Sequence, residues 1–222
     1  VLMTLMPQKF GLPDAAAAVR VAFLSVALWW GLFTIFTIFW VPEKKADPAK
    51  KGGQSIILAG FRQLIETFKK VRHLKVVFLF LLAFWLYNDG IGTIMVMAVI
   101  FGTEIGIGSE HLIGAILTVQ FLGIPFTILF GKLAIKITAK RAIYLGLIVY
   151  TCIAIGGFFM TNAFHFWLLA IGVGMVQGGT QALSRSLFAQ MTPKSKSAEF
   201  FGFFDVSQKF SGILGPAIFG LI

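Results

Sequence analysis

The sequence predicts an all-α protein, a polytopic bundle of transmembrane helices with six spans in 222 residues. Hydrophobic residues make up 58% of the chain and charged residues only 13%, about half the charged share of an average soluble domain. The mean hydropathy is +0.89. Apolar segments close to the roughly 20 residues that a bilayer core requires alternate with polar connectors. The chain is therefore interpreted as a multi-pass membrane protein.

Residues 1–20 are interpreted as the end of a preceding span and an outer connector, and a complete span follows at residues 21–41. Residues 42–75 form the longest polar segment, in which apolar residues recur at helical spacing and basic residues occupy the other face. This pattern is typical of an amphipathic helix, either on the cytoplasmic membrane surface or packed on the protein. The basic residues of this segment are Lys44, Lys45, Lys50, Lys51, Arg62, Lys69, Lys70, Arg72 and Lys75.

Further spans are predicted at residues 76–102, 112–130, 142–160 and 165–189, and a sixth begins near Gly202. Lysine and arginine cluster in alternate connectors, which marks those connectors as cytoplasmic. The connectors between them are acidic or uncharged, so all spans fit one orientation. Small residues and a proline predict close packing of the last two spans and a bend in the sixth: Gly174 and Gly178 in GxxxG spacing, Gly212, Gly215, Pro216 and Gly220.

One carboxylate lies near the midpoint of a predicted span. Asp89, preceded by Asn88, is about 20 Å from the cytoplasmic end of its helix at 1.5 Å per residue. A charge at that depth costs roughly 2.5–3.5 kcal/mol, so Asp89 should face a cavity, pair with a cation or be protonated. Gly90 and Gly92 permit a kink that would open backbone groups, and a carboxylate that caps such a kink is the alternative.

The fifth span carries a polar stripe. Gln177, Gln181 and Arg185 recur every four residues, with Thr180 and Ser184 beside them. This spacing predicts that all five lie on one face of the helix and that this face contacts water.

Two opposite charges follow at the start of the sixth span. Asp205 and Lys209 stand one helical turn apart, so they either pair with each other or find partners elsewhere.

The residue types argue against other classes of function. Cys152 is the only cysteine and the three histidines stand singly, so no catalytic residue, metal site or cofactor is predicted and the chain is not expected to be an enzyme. The net charge of +10 resides mainly in the connectors, as it does in membrane proteins, so no nucleic-acid partner is expected. A non-transporting sensor or scaffold stays open.

The connector between the third and fourth spans resembles the G-x-L-a-D-r-x-G-r-[RK] loop of the major facilitator superfamily. The matching residues are Gly131, Lys136, Lys140 and Arg141, whereas Ile135 and Thr138 replace the aspartate and the second glycine. This resemblance implies that residues 21–41 are helix six of twelve and that residues 42–75 are the cytoplasmic inter-domain loop. Residues 76–222 would then be helices seven to eleven, in the second half, with the last helix and the first five helices of the N-terminal half missing from this fragment.

Two longer motifs, YNDGIGTI at residues 87–94 and GGTQALSRSLFAQMTPKSKSAEFFGFFDVSQKFSGILGP at residues 178–216, resemble the vacuole-effluxer branch of that superfamily. The fungal members of this branch export amino acids from the vacuole. The resemblance implies a secondary transporter of a small polar solute, possibly an amino acid, by alternating access in a lipid bilayer. It implies the vacuolar membrane for a fungal protein and the cell membrane for a bacterial one. A carrier of a sugar or drug is the alternative.

Within that resemblance each polar group has an expected role. Asp89, Asn88, Gln120, Gln177 and Gln181 are expected to contact the solute or a coupling ion, which would be a proton or another cation. The charged residues near the cytoplasmic side are expected to form a gate of ion pairs that breaks and reforms: Arg185, Glu199, Asp205 and Lys209.

Overall fold

The computed structural model describes residues 3, 6–42 and 56–221, which form helices and no strand. The all-α class is confirmed for this part of the chain. The chain divides into two units, Val1–Ser55 and Ile56–Ile222. Four basic residues of the long polar segment lie outside the described residues: Lys44, Lys45, Lys50 and Lys51.

The first unit holds one long helix, α1 (Ala15–Trp40). It starts six residues before the predicted span, because the Asp14 carboxylate accepts a hydrogen bond from the Ala17 amide at 2.6 Å and caps the helix. Four alanines follow this cap, and alanine has the best intrinsic helix propensity. At 26 residues, α1 is long enough and apolar enough to cross a bilayer.

The second unit contains seven α-helices among the described residues. Four of them, α3 to α6, are also long and apolar enough to span a membrane, which makes five candidates with α1. The helices of the second unit are α2 (Ile56–His73), α3 (Lys75–Glu104), α4 (Ser109–Ile137), α5 (Ala139–Phe158), α6 (Ala163–Met191), α7 (Ser197–Phe210) and α8 (Leu214–Phe219).

The predicted sixth span is not one continuous helix. It consists of α7 and α8, separated by residues 211–213, which belong to neither helix. Pro216 has no amide hydrogen to donate to Gly212, and its ring would crowd that carbonyl in a continuous helix. The predicted bend is therefore a break. Helix α3 is continuous through Gly90 and Gly92, the two residues at which a kink was predicted.

Helices α4 and α6 lie very close together, as the GxxxG spacing predicts. A Cβ atom on Gly174 would lie 3.2 Å from the α4 backbone, and one on Gly178 would collide with the Thr127 hydroxyl. A Cβ on Gly179 would collide with the Phe130 ring. The absence of side chains at these three positions therefore permits the close approach of the two helices.

An aromatic cluster joins α3, α6 and α7 near their basic ends. The Phe204 ring is fully buried, with its centroid 4.4 Å from that of Phe84 and 4.8 Å from that of Phe188. Stacked pairs of this kind stabilise a contact by about 0.5–1.5 kcal/mol beyond area burial. This cluster fixes the position of α7 against α3 and α6.

Helix α2 packs on this cluster with one face only. Thr67 and Val71 are buried, whereas the Phe61 and Ile65 side chains on another face are exposed. The structure thus places part of the amphipathic helix against the protein, which was one of the two arrangements that the sequence left open.

Candidate functional site

The centre of α3 is tied to the break between α7 and α8. The Asn88 amide nitrogen donates a hydrogen bond to the Ser211 hydroxyl at 2.6 Å. Ser211 is fully buried and donates in turn to the backbone oxygen of Gln208 at 2.7 Å. Sequence analysis did not single out Ser211, which lies in the motif at residues 178–216 and is a polar residue next to a helix-breaking glycine.

The Asp89 carboxylate lies beside this junction and is incompletely satisfied. Its Oδ1 atom is buried and has no hydrogen-bond partner among the described residues. Its Oδ2 atom would lie 3.1 Å from a Cβ on Gly215, and the Thr93 hydroxyl would collide with that Cβ. The Thr93 hydroxyl donates at 2.8 Å to the backbone oxygen of Asp89, not to its carboxylate.

Asp89 takes part in none of the ion pairs of the described residues, which join Arg62 to Glu66, Lys70 to Glu199 and Arg185 to Asp205. A buried oxygen without a donor costs about 1–3 kcal/mol, and more when the group is charged. A hydrogen-bond donor or a cation bound at this oxygen would remove that cost.

The predicted polar stripe of α6 is divided between two faces. Thr180 and Ser184 are fully buried and donate to the backbone oxygens of Val176 and Thr180 at 2.7 and 2.6 Å. The Tyr87 and Ser184 hydroxyls share a hydrogen bond of 2.6 Å between α3 and α6. The expectation that Thr180 and Ser184 face water is therefore wrong. Gln177 is half-buried, while Gln181 is exposed.

Arg185 is the partner of Asp205. The guanidinium Nη2 donates to Asp205 Oδ1 at 2.8 Å and to Gln208 Oε1 at 3.3 Å. Asp205 thus pairs across helices and not with Lys209, which joins no ion pair among the described residues. Sequence spacing left the partner of Asp205 open because it cannot show that α6 and α7 lie side by side.

Glu199 also pairs across helices, with the Lys70 ammonium of α2 at 3.2 Å. The four charges expected to form one gate are therefore arranged differently. Arg185 and Asp205 join α6 to α7, while Glu199 joins α7 to α2.

A pocket of about 310 Å³ surrounds Arg185. Its walls come from α3, α6 and α7. Its lining residues are Phe84, Gly178, Gln181, Ala182, Arg185, Phe204 and Gln208.

Gln120 lies elsewhere, on a larger and mainly apolar cavity of about 630 Å³ between α3, α4, α5 and α6, which Thr93 also lines. Gln177 lines neither this cavity nor the Arg185 pocket. The five residues expected to contact solute or ion are thus spread over more than one location.

The residues of the superfamily loop lie mostly within helices. Gly131 and Lys136 belong to the end of α4, and Lys140 and Arg141 to the first turn of α5. Only Thr138 separates the two helices, with φ 83° and ψ 148°. Its backbone has the conformation that a glycine would adopt without strain, at the position where the superfamily motif has glycine.

No group of three or more His, Cys, Asp or Glu residues that could hold a metal ion occurs within residues 6–42 and 56–221.

The profile of the family described as "Vacuole effluxer Atg22 like" matches residues 1–222. The chain belongs to this vacuole-effluxer family. The resemblance found in its motifs is therefore confirmed, and the chain is an integral, multi-pass membrane protein. No solved structure matches it.

Proteins from a bacterium and from fungi are similar to the chain. The uncharacterized MFS-type transporter YxiO of Bacillus subtilis (strain 168) is 40% identical over 208 residues, which cover 92% of this chain and 47% of that protein. Autophagy-related protein 22 of Yarrowia lipolytica is 32% identical over 237 residues, with 92% and 40% covered. The protein of that name from Saccharomyces cerevisiae (strain S288c) is 29% identical over 241 residues, with 92% and 45% covered. The chain thus spans less than half the length of these relatives.

Proposed function

We propose that the full-length protein is a secondary carrier that moves a small polar solute across a membrane by alternating access. The observation that carries this proposal is the Asp89 carboxylate, in the middle of a long apolar helix, with a buried oxygen that has no donor among the described residues. Ionisable groups inside membrane spans are expensive and mark solute or ion pathways. The transporter name of the bacterial relative supports the same function and argues against an enzyme.

Asp89 is the group that couples solute movement to a proton or another cation. It lies 14 residues after the start of α3, about 21 Å along the helix axis. The neighbouring Asn88 donates a hydrogen bond to Ser211, and the Oδ2 atom of Asp89 faces Gly215. Binding or release of a cation at Asp89 would therefore act on both sides of the break between α7 and α8.

The ion pairs at the basic end form the gate. The Arg185 and Asp205 side chains are each 55% exposed, and those of Lys70 and Glu199 are 40% and 28% exposed. Exposed pairs such as Arg185–Asp205 contribute only about 0–1 kcal/mol, and the half-buried Lys70–Glu199 pair also keeps contact with water. Water can therefore replace either pair. Such pairs suit contacts that open and close in every transport cycle.

The helices correspond to part of a twelve-helix carrier. In this arrangement α1 is the sixth helix, residues 42–75 link the two halves, and residues 76–222 supply helices seven to eleven. The N-terminal half of the longer protein would face α3, α6 and α7 and close the solute cavity.

Counterflow in liposomes tests the carrier function. The purified full-length protein would be reconstituted in vesicles loaded with one unlabelled solute at a time, and entry of the same labelled solute would be followed. Amino acids, sugars and a cationic drug would form the panel, with protein-free vesicles as the control. Saturable entry of at least one small polar solute is expected. Correctly folded protein that exchanges no solute in the panel would contradict the proposal and favour a non-transporting relative.

A further inference from the structure

The pocket around Arg185 combines one cation, two amides and two aromatic rings. Gln181 comes from α6 and Gln208 from α7, while Phe84 and Phe204 line the same space. Its volume of about 310 Å³ is at the lower end of the range for small-molecule sites. Three of its seven lining residues are polar, which is a larger polar share than most small-molecule sites have.

Some N–H groups of the Arg185 guanidinium make no hydrogen bond among the described residues. Both of its hydrogen bonds involve Nη2, and Nε and Nη1 make none among the described residues. The guanidinium carbon lies 5.9 Å from the centroid of the Phe204 ring. This contact and the bonds to Asp205 and Gln208 hold the guanidinium in one orientation. A planar guanidinium can bind a carboxylate through two parallel hydrogen bonds. Each of the two edges that allow this includes Nη2, so a second carboxylate could bind in this way only by taking the place of Asp205.

The two amides extend the polar part of the pocket. The Gln208 carbonyl oxygen accepts from Arg185, so its amide hydrogens can donate to a bound group. Gln181 is exposed and offers both a donor and an acceptor. Phe84 and Phe204 lie behind these polar groups, and their rings are almost fully buried in the aromatic cluster.

We propose that this pocket binds the carboxylate of the transported solute and that the solute takes the place of Asp205 on Arg185. This inference rests on the proposed carrier function. Two carboxylates on one guanidinium would leave an excess negative charge, so the solute and Asp205 compete. The Asp205 side chain is 55% exposed and can turn into water when it is displaced. Binding of the solute would then release the contact between α6 and α7.

The mechanism predicts opposite effects for the two partners. Arg185→Gln removes the cation and should weaken binding of a carboxylate at least tenfold, because hydrogen bonds to a charged group are roughly twice as strong as neutral ones. Arg185→Lys keeps the charge but loses the planar fork, so its affinity for a carboxylate should lie between those of wild type and Arg185→Gln. Asp205→Asn removes the competing carboxylate and should strengthen binding by about threefold to tenfold. A pair with only a structural role would weaken binding in all three variants.

Thermal melting of the purified full-length protein tests this site directly. The probes are leucine, phenylalanine and glutamine, each compared with its α-carboxamide, in which the carboxylate is replaced and the side chain is kept. At least one carboxylate probe should raise the melting temperature, and its amide should raise it much less. The rise should vanish in Arg185→Gln and occur at a lower probe concentration in Asp205→Asn. The melting temperature of each variant without a probe verifies that it is folded.

Three results would overturn the inference. They are equal stabilisation by an amino acid and its α-carboxamide, an unchanged rise in melting temperature in Arg185→Gln, and weaker probe binding in Asp205→Asn. An absence of stabilisation by every carboxylate probe would overturn it as well, and counterflow of any solute would then leave the carrier function standing. Stabilisation that depends on Arg185, without counterflow of any solute, would keep the site and remove the carrier function.

Discussion

Replacing Thr138 by glycine should stabilise the protein. Thr138 is the only residue other than glycine with a positive φ in residues 6–42 and 56–221, at φ 83° and ψ 148° between α4 and α5. A β-branched side chain is especially unfavourable in this region, which glycine alone enters freely. The position is also the one at which the superfamily loop has glycine.

The size of the effect follows from two opposing contributions. A residue held in a sparsely populated backbone region costs about 1–3 kcal/mol. A glycine loses more conformational freedom on folding than other residues, which costs about 0.5–1 kcal/mol. The net gain for Thr138→Gly should therefore be about 1 kcal/mol and at most about 2.5 kcal/mol.

Unfolding of the full-length protein in detergent, followed by circular dichroism, measures this gain. Thr138→Ala is the matched control, because alanine shortens the side chain but keeps the Cβ atom that causes the strain. We expect Thr138→Gly to be the most stable of the three proteins and Thr138→Ala to be about as stable as wild type. A glycine variant that is no more stable than the alanine variant would refute the reasoning, since the backbone strain would then be absent.

Three further predictions concern packing and charge. Gly178→Ala should destabilise the protein by about 1–3 kcal/mol because its Cβ collides with α4. The control Gly123→Ala has open space around its Cβ and should stabilise the protein by up to about 1 kcal/mol. Melting temperatures that change in the same direction in both variants would contradict the close contact of α4 and α6. A double-mutant cycle on Lys70 and Glu199 should give a coupling of about 0.2–1 kcal/mol, and a value well above this range would show that the pair is more than an exposed gate contact. Gly215→Ala should push α8 away from α3 and slow solute exchange in liposomes, and exchange at the wild-type rate would argue against tight packing beside Asp89.

The fold class and the family were predictable because they depend on composition and on long motifs. Apolar segments with basic connectors require helices in a bilayer, whatever their detailed packing. The close approach of α4 and α6 was also predictable, because Gly174 and Gly178 stand in a local spacing that has one common structural meaning.

The partners of the charged residues were not predictable from spacing. Asp205 is four residues from Lys209 but pairs with Arg185, twenty residues earlier in the chain. Local periodicity gives the face of a helix but not the neighbouring helix that meets it. For the same reason the burial of Thr180 and Ser184, and the contact of Asn88 with Ser211, required the three-dimensional structure.

Asp89 is proposed to couple solute transport to a cation. The most direct measurement compares Asp89→Asn with wild type in liposomes, both for counterflow exchange and for uphill accumulation driven by a proton or sodium gradient. Asp14→Asn is the matched control, because it makes the same chemical change at the exposed cap of α1, where asparagine caps equally well. We expect Asp89→Asn to keep exchange and lose accumulation, while Asp14→Asn keeps both. Accumulation at the wild-type level in Asp89→Asn would contradict the account.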